Sequence, residues 1–438
     1  MKKTIAALTI TFLLLVLLSG CSASGDTANT DLSIISQPTI EAQPLLATEH
    51  HTTSATASYA AAGANDFAFR LSAALAQNFL DNFPNESFVV SPYSIWLPLA
   101  ALLNTTSDYY KDELLESLGV SGINIEDINR AASRMLFDLT NERDRDTEWH
   151  NNPLSIANAV FVDDRFTLVE DFAQVFLDYY RGTIMNVNFA DPDAVYAVNQ
   201  WASEHTDGLI SDLIQGFDPE TAAVIANALH FSNIWTIPFE EDETSEGIFY
   251  SPAGELPAYF MLKSGNGLPY FEDDRVQATS FYFAGGGGMT IILPKDGDGL
   301  GLLSTMTAEY FDHIHQETQF KTGQILLPRF SISSTIDNLP DILTSLGVPL
   351  FEVSPVMDGL IKEAYAYLDD AVQKAMIEVD EKGTTAAAVT ALIAFPFSGP
   401  MVTDPFEMIC DSPFVFVLWG QTHDGGSQVL FTGVVNQP

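Results

Sequence analysis

From Gly383 to Thr403 the chain carries no charged side chain, although the whole sequence holds 58 acidic residues. The first part of that stretch, Thr384-Thr385-Ala386-Ala387-Ala388-Val389-Thr390-Ala391, is built almost wholly of small residues. Small side chains forgo ~0.8 kcal/mol of burial energy for each methylene they lack, so a long series of them needs a reason. Upstream, Val379 ends a strand-like run, Asp380-Glu381-Lys382 makes a charged turn, and Gly383 then frees the backbone. Such a segment suits a strand that must slip between strands already packed. With a period of two, Thr384, Ala386, Ala388, Thr390, Leu392 and Ala394 share one face. None of them would bring a charge under a sheet, where an unpaired ion costs several kcal/mol. Two other structures are open to the run, an alanine-rich core helix and a membrane span over 384–402. Against the span stand Pro396, Gly399 and Pro400 within it, acids on its flanks and no basic anchor after it.

The balance of 18 basic and 58 acidic residues gives a formal charge of −40, which repels phosphate backbones and excludes nucleic acid as a partner. It reads as the solvated shell of a secreted protein. Met1-Lys2-Lys3 and the apolar run Thr4 to Leu18 have the form of an export signal. Leu18-Ser19-Gly20-Cys21 then resembles a bacterial lipobox. The resemblance implies a signal peptide over 1–20, a lipid on Cys21, and anchoring to a bacterial membrane outside the cytoplasm, at the cell surface or in the periplasm. Residues 21–63 hold that cysteine and a Ser-, Thr- and Ala-rich stretch with Pro38 and Pro44, expected to be a flexible tether. One large domain, 64–438, follows. Cys410 is the other cysteine, so no intrachain disulfide is available once Cys21 is used.

Within the domain, Phe67, Leu71, Leu75, Phe79 and Leu80 predict a helix over 65–82. Ser91-Pro92 opens another, and helices are expected over 168–180 and 194–204. Strands are expected at 155–162, 183–189 and 222–231, with hairpins at 279–293 and 413–435. Helices crowd the first half and strands the second, an α+β arrangement.

Seven segments, in order, resemble the serpins, the serine protease inhibitors. They are Phe88-Val89-Val90-Ser91-Pro92-Tyr93-Ser94-Ile95; Leu154 to Phe161; Val198-Asn199-Gln200-Trp201 with Thr206-Asp207-Gly208; Asn227-Ala228-Leu229-His230-Phe231 with Trp235 and Phe239; Leu327-Pro328-Arg329-Phe330; Ser412 to Phe416; and Phe431 to Pro438. The uncharged run at 383–403 resembles that family's reactive-loop hinge. The resemblance implies a serpin fold, with three β-sheets, about eight or nine helices and an exposed reactive-centre loop. It implies an inhibitor rather than an enzyme: a monomer without cofactor or metal that traps a serine protease as a covalent acyl complex. The cut loop then inserts into the main sheet, the strand insertion that general accounts of stored strain already use as an example. Glu381, Gly383, Thr384, Ala386, Ala387, Ala388 and Thr390 match the hinge; Ser91, Ser94, Asn227, Trp235 and Gln373 match the shutter and breach that govern sheet opening. Where Gln373 stands the family usually has His, which titrates near neutrality as Gln cannot. The family's usual loop length puts the reactive bond at Phe397-Ser398, with chymotrypsin-like or subtilisin-like targets. The stretch from Ser398 to Pro413 is longer than in familiar members, which makes Met401 the next candidate. A non-inhibitory, binding member of the fold is the alternative.

Other chemistry lacks its motifs. The chain has no Gly-x-Ser-x-Gly elbow and no His-Glu-x-x-His helix, and Gly285 to Gly288 is not followed by the Lys-Ser/Thr of a phosphate loop. His313 and His315 fall on a probable helix, where positions two apart face different sides.

Overall fold

A computed structural model describes residues 10–20, 40–41, 54–140, 154–206, 208, 210–218, 221–351, 356–383, 405–422 and 425–438. The chain begins with strands β1 (Ile10–Gly20) and β2 (Ile40–Glu41), then helix α1 (Ser54–Asn82), β3 (Phe88–Val90) and α2 (Pro92–Leu102). Three helices and a strand follow: α3 (Asp108–Ser117), α4 (Ile125–Leu139), β4 (Leu154–Asp163) and α5 (Glu170–Tyr180). Next come β5 (Gly182–Val187), α6 (Pro192–Glu204), β6 (Thr221–Phe231), β7 (Ser245–Ser251), β8 (Gly254–Glu272), β9 (Val276–Tyr282) and β10 (Gly288–Pro294). Helices α7 (Gly299–Ser304) and α8 (Ala308–Glu317), strands β11 (Gln319–Pro328) and β12 (Phe330–Ile336), and α9 (Leu339–Ser345) lead to β13 (Ala366–Val379). Strands β14 (Phe406–Ile409), β15 (Phe414–Gln421) and β16 (Ser427–Val435) close it. This is the expected α+β class.

The main sheet has seven strands in the order β12-β13-β1-β6-β4-β5-β2. A second path runs β14-β11-β8-β9-β10-β15-β16-β3, with β7 on β8. The 19-residue β8 joins its two parts: most of its length pairs with β7 and β11, and only Phe271 and Glu272 reach β9. The molecule therefore has three sheet regions.

Local chemistry explains the helices that support the main sheet. Pro92 sits in the first turn of α2, where its missing N–H is no loss, and all 11 residues of that helix are buried. A helix apolar on every side has to be central. In α4, Asn124 caps the first turn by accepting from the Asp127 amide, and Ile128, Ala132, Met135, Leu136 and Leu139 form the buried stripe. Asp191 and Pro192 start α6, which packs Val198, Trp201 and Ala202 over Val224, Ala226 and Ala228 of β6. The alternate residues Ile225 and Leu229 enter the main core. Because both faces are covered, β6 reads as a largely apolar run, interrupted within 222–231 by Asn227 and His230, rather than an alternating one.

Two N-terminal segments carry structure. Helix α1 starts at Ser54, ten residues before the expected domain boundary, and Ile40–Glu41 pairs with β5. Part of the stretch read as tether is therefore folded. Gly63 shows why: a Cβ there would lie 2.3 Å from the Gly119 carbonyl oxygen, so the helix packs against the chain at that point. Residues 10–20, read as part of a leader, lie in the main sheet as β1. Cys21 falls outside the described residues.

Candidate functional site

The centre of the main sheet is a slot between β6 and β13. These two strands run the same way, and β1 lies between them, antiparallel to both. Leu14 is in register with Asn227 on one side and Gln373 on the other. The slot thus accepts an apolar strand of this chain running from the Phe231 end toward Ala366.

Beneath the slot, Ser91, Ser94 and Gln373 come together. The Ser91 amide donates to Gln373 Oε1 at 3.2 Å and Gln373 Nε2 donates to the Ser91 carbonyl at 3.0 Å. Ser91 Oγ donates to Leu430 O at 2.7 Å and contacts Ser94 Oγ at 3.1 Å. All three residues are buried. The amide of Gln373 thereby ties β13 to the N-terminus of α2 through two bonds that no pH change near neutrality can alter. Asn227 joins a different network. Its Nδ2 donates to Asn158 Oδ1 at 2.7 Å, and Asn158 Nδ2 donates to the Tyr180 carbonyl at 2.7 Å.

Above the slot, the turn after β13 is fixed by a second set of contacts. The carbonyl of Asp380 accepts from Trp235 Nε1 at 3.0 Å, and the Trp235 amide donates to Lys382 O at 2.9 Å. Trp235 stacks on Phe283 with ring centroids 4.6 Å apart. Glu381 is buried and accepts from Arg329 Nε at 2.8 Å and Nη2 at 2.6 Å, and from the Thr244 hydroxyl. Burial works to raise its carboxyl pKa, but the hydrogen bonds from Arg329 and Thr244 outweigh that and hold it below the usual range. Arg329 and Thr244 were not singled out from the sequence, since nothing local marks an ion pair 52 positions apart. Asp380 was missed too; its Oδ1 accepts from the amides of Lys382 and Gly383 and shapes the turn.

Gly383 closes this turn with φ of 138°, and a Cβ there would stand 2.3 Å from the Asn233 carbonyl oxygen. Only glycine fits that conformation and that approach. Gly383 also bridges Asp380 on the β13 side and Ile234 on the β6 side. The chain therefore enters the mouth of the slot already paired to both walls. Thr384, Ala386, Ala387, Ala388, Thr390, Phe397 and Ser398 lie outside the described residues.

No group of three or more potential metal ligands occurs among the described residues. His315 is half-buried at the edge of the core, with Nε2 2.9 Å from Thr290 Oγ1 and its ring against Phe311 and Trp419. Burial lowers its pKa from 6.5 to about 4. The folded protein thus resists a proton that the unfolded chain accepts. The stability this contributes is present above pH ~6.5 and is lost as pH falls toward ~4, on the order of 3 kcal/mol in all. Urea midpoints measured at pH 7 and pH 4 should differ less for His315→Gln than for the parent, and an equal difference would remove His315 from the account.

A family model described as Serpin (serine protease inhibitor) matches residues 62–438. Antichymotrypsin-2 of Bombyx mori is 31% identical over 81% of this chain and 92% of its own length. Among solved structures, the thermophilic serpin Tengpin in the native state superposes with a TM-score of 0.73 at 23% identity, covering 91% of this chain and 98% of that one. Human thyroxine-binding globulin in complex with thyroxine superposes with a TM-score of 0.72 at 21% identity, covering 87% of this chain and 99% of that one. At such identities the structural matches speak for the fold alone.

Proposed function

The chain belongs to the serpin family, and from that premise we propose that it inhibits a serine protease by presenting residues 384–404 as bait and then inserting the cut loop between β6 and β13. The observation that carries this reading is the double bridge at Gly383. If pairing continues from there one residue at a time, Thr384 meets Val379 and each later residue meets the next one down β13. Position 397 then falls opposite Ala366, the first residue of the strand. Residues 384–397 thus fill the length of β13, which supports Phe397-Ser398 as the reactive bond. Fourteen residues at strand rise span roughly 46 Å, enough to carry an attached protease from one end of the sheet to the other.

The chemistry needs little from this chain beyond geometry. The protease serine attacks the Phe397 carbonyl, the bond to Ser398 breaks, and an ester joins the two proteins. Insertion then drags the protease away from the site that would complete its hydrolysis. An apolar aromatic before the bond suits chymotrypsin-like or subtilisin-like enzymes, and one relative bears the name antichymotrypsin. A binding protein without inhibition is the second reading, since thyroxine-binding globulin shares the fold. The uncharged hinge weighs against it, because a chain released from insertion has no need of small residues there. Mixing the protein with chymotrypsin and running denaturing electrophoresis separates the readings. A trap gives a covalent band larger than either partner, and a passive binder gives none.

The anchor belongs to the same reading. Removal of residues 1–20 before Cys21 would take β1 out of the slot and leave it to the loop, while the lipid on Cys21 holds the protein at a membrane. Cys21→Ala should release the protein from membranes, and the chain from Ser22 onward should inhibit at the parent's rate. Fractionation of cells followed by a chymotrypsin assay checks both, and loss of inhibition in the soluble chain would contradict the separation of anchor from trap.

A further inference from the structure

Strand β1 holds the place in the main sheet that an inserting loop would need. Its register is unbroken along most of both walls. Thr11 to Leu17 pairs with Met376 to Asp370 of β13, and Ile10 to Leu18 pairs with Phe231 to Ala223 of β6. After a register shift on each side, Gly20 meets Ala366 and Ser19 meets Thr221. The strand therefore covers β6 from one end to the other.

The sequence of β1 suits this seat. A central strand has to offer backbone N–H and C=O groups to two neighbours at once. Residues 10–20 contain no proline, which would remove a donor, and no charged residue, which would have to give up its water. Recognition by two backbone ladders asks nothing more of a strand than these properties.

The loop claims the same stretch. In the register that starts at Gly383, positions 387–397 fall opposite Met376 to Ala366, the part of β13 that β1 spans. Positions 384–386 fall opposite Val379, Glu378 and Ile377, above Thr11, the first residue that β1 pairs with β13. The loop would enter that far and then meet an occupied sheet.

We propose that the slot is a binding site for residues 10–20, so that the chain with β1 seated is a protease substrate and becomes a trap only when β1 is withdrawn. This rests on loop insertion as proposed above. The ligand is an uncharged, proline-free peptide in extended form, antiparallel to β6 and β13, and its occupant is the chain's own N-terminal strand. Hydrolysis after Gly20 would leave both ladders in place, so release of the strand is a step separate from the cut.

The test uses the full chain, made in a cell-free system without signal peptidase, and the chain from Ser22 onward. It adds a synthetic peptide of residues 10–20 with two lysines after Gly20, where the strand ends. Chymotrypsin should cut the loop of both chains at the same rate, but the full chain should give at least ~tenfold less covalent complex per cut. The peptide should raise the melting temperature of the chain from Ser22 by several degrees, as a ligand of the folded state does, and should abolish its covalent complex. A peptide with Leu14→Pro, which lacks an N–H at the register position of Asn227 and Gln373, should do neither. The full chain with Leu14→Pro should trap like the chain from Ser22. A parent full chain that traps as well as the chain from Ser22 would overturn the proposal. So would a peptide that leaves the melting temperature unchanged, or one that acts equally well with Leu14→Pro. If the chain from Ser22 forms no covalent complex without peptide, the inhibitory reading falls instead. The binding site is then decided by the melting temperatures: a rise with the unmodified peptide alone upholds it, and any other pattern overturns it.

Discussion

Thr384→Arg should convert the protein from a trap into a substrate. Pairing carried on from Gly383 sets position 384 opposite Val379, which is 1% exposed and faces the main core. A guanidinium entering there would be an unpaired buried charge, which costs several kcal/mol. Insertion has to outrun hydrolysis of the ester, and each ~1.4 kcal/mol added to its barrier slows it about tenfold. Attack at Phe397, 13 positions away, should hardly change. Chymotrypsin should therefore cut the variant at the parent's rate and be released active, with little covalent complex on a denaturing gel. The cut variant should also lack the rise in heat stability that insertion gives the parent. Stoichiometric trapping by Thr384→Arg would show that the loop does not enter the sheet at its hinge.

Phe397→Arg should exchange the target class while leaving the trap intact. An apolar specificity pocket accepts an aromatic ring and rejects a guanidinium, whereas a pocket with a buried carboxylate does the reverse. Inhibition of chymotrypsin should fall by about 100-fold or more, and inhibition of trypsin should appear, since misplacing one charge costs roughly 3 kcal/mol or more. Mass spectrometry of the released C-terminal peptide checks the premise. A peptide that starts at Ser398 agrees with the register, in which residue 397 reaches Ala366 at the end of β13. A peptide starting at Val402 would move the bait to Met401 and leave four residues more than the slot can pair.

Much of the sheet structure was legible because individual strands carry their own signals. The run at 222–231 is apolar but for Asn227 and His230, and β6 is covered on both faces. The hairpin expected at 279–293 is β9 paired with β10, and the one at 413–435 is β15 with β16. The start of α1 was not legible, since Ser54 to Gly63 is as small and polar as a tether. What makes it helical is packing against a distant turn at Gly119. The long β8 was hidden for another reason: Pro257, Gly265, Gly267 and Pro269 punctuate it, and β11 holds it together from outside.

The candidate site divides in the same way. Gly383 and the small residues after it stand out in the sequence because their chemistry is local. The grip of Arg329 and Thr244 on Glu381, and the place of Asn158 beside Asn227, depend on strands brought together by the fold. Gln373 is an intermediate case. Its position was found by likeness to a family that usually has His there, but its pairing with the Ser91 backbone rather than with Asn227 is visible only in three dimensions.

The most direct measurement is a crystal structure of the chain from Ser22 onward after cutting in the loop. The account predicts a new strand between β6 and β13 running from Gly383 to Phe397, with position 384 opposite Val379 and Phe397 opposite Ala366. A cut loop lying outside the sheet, with β6 and β13 paired directly to each other, would contradict it.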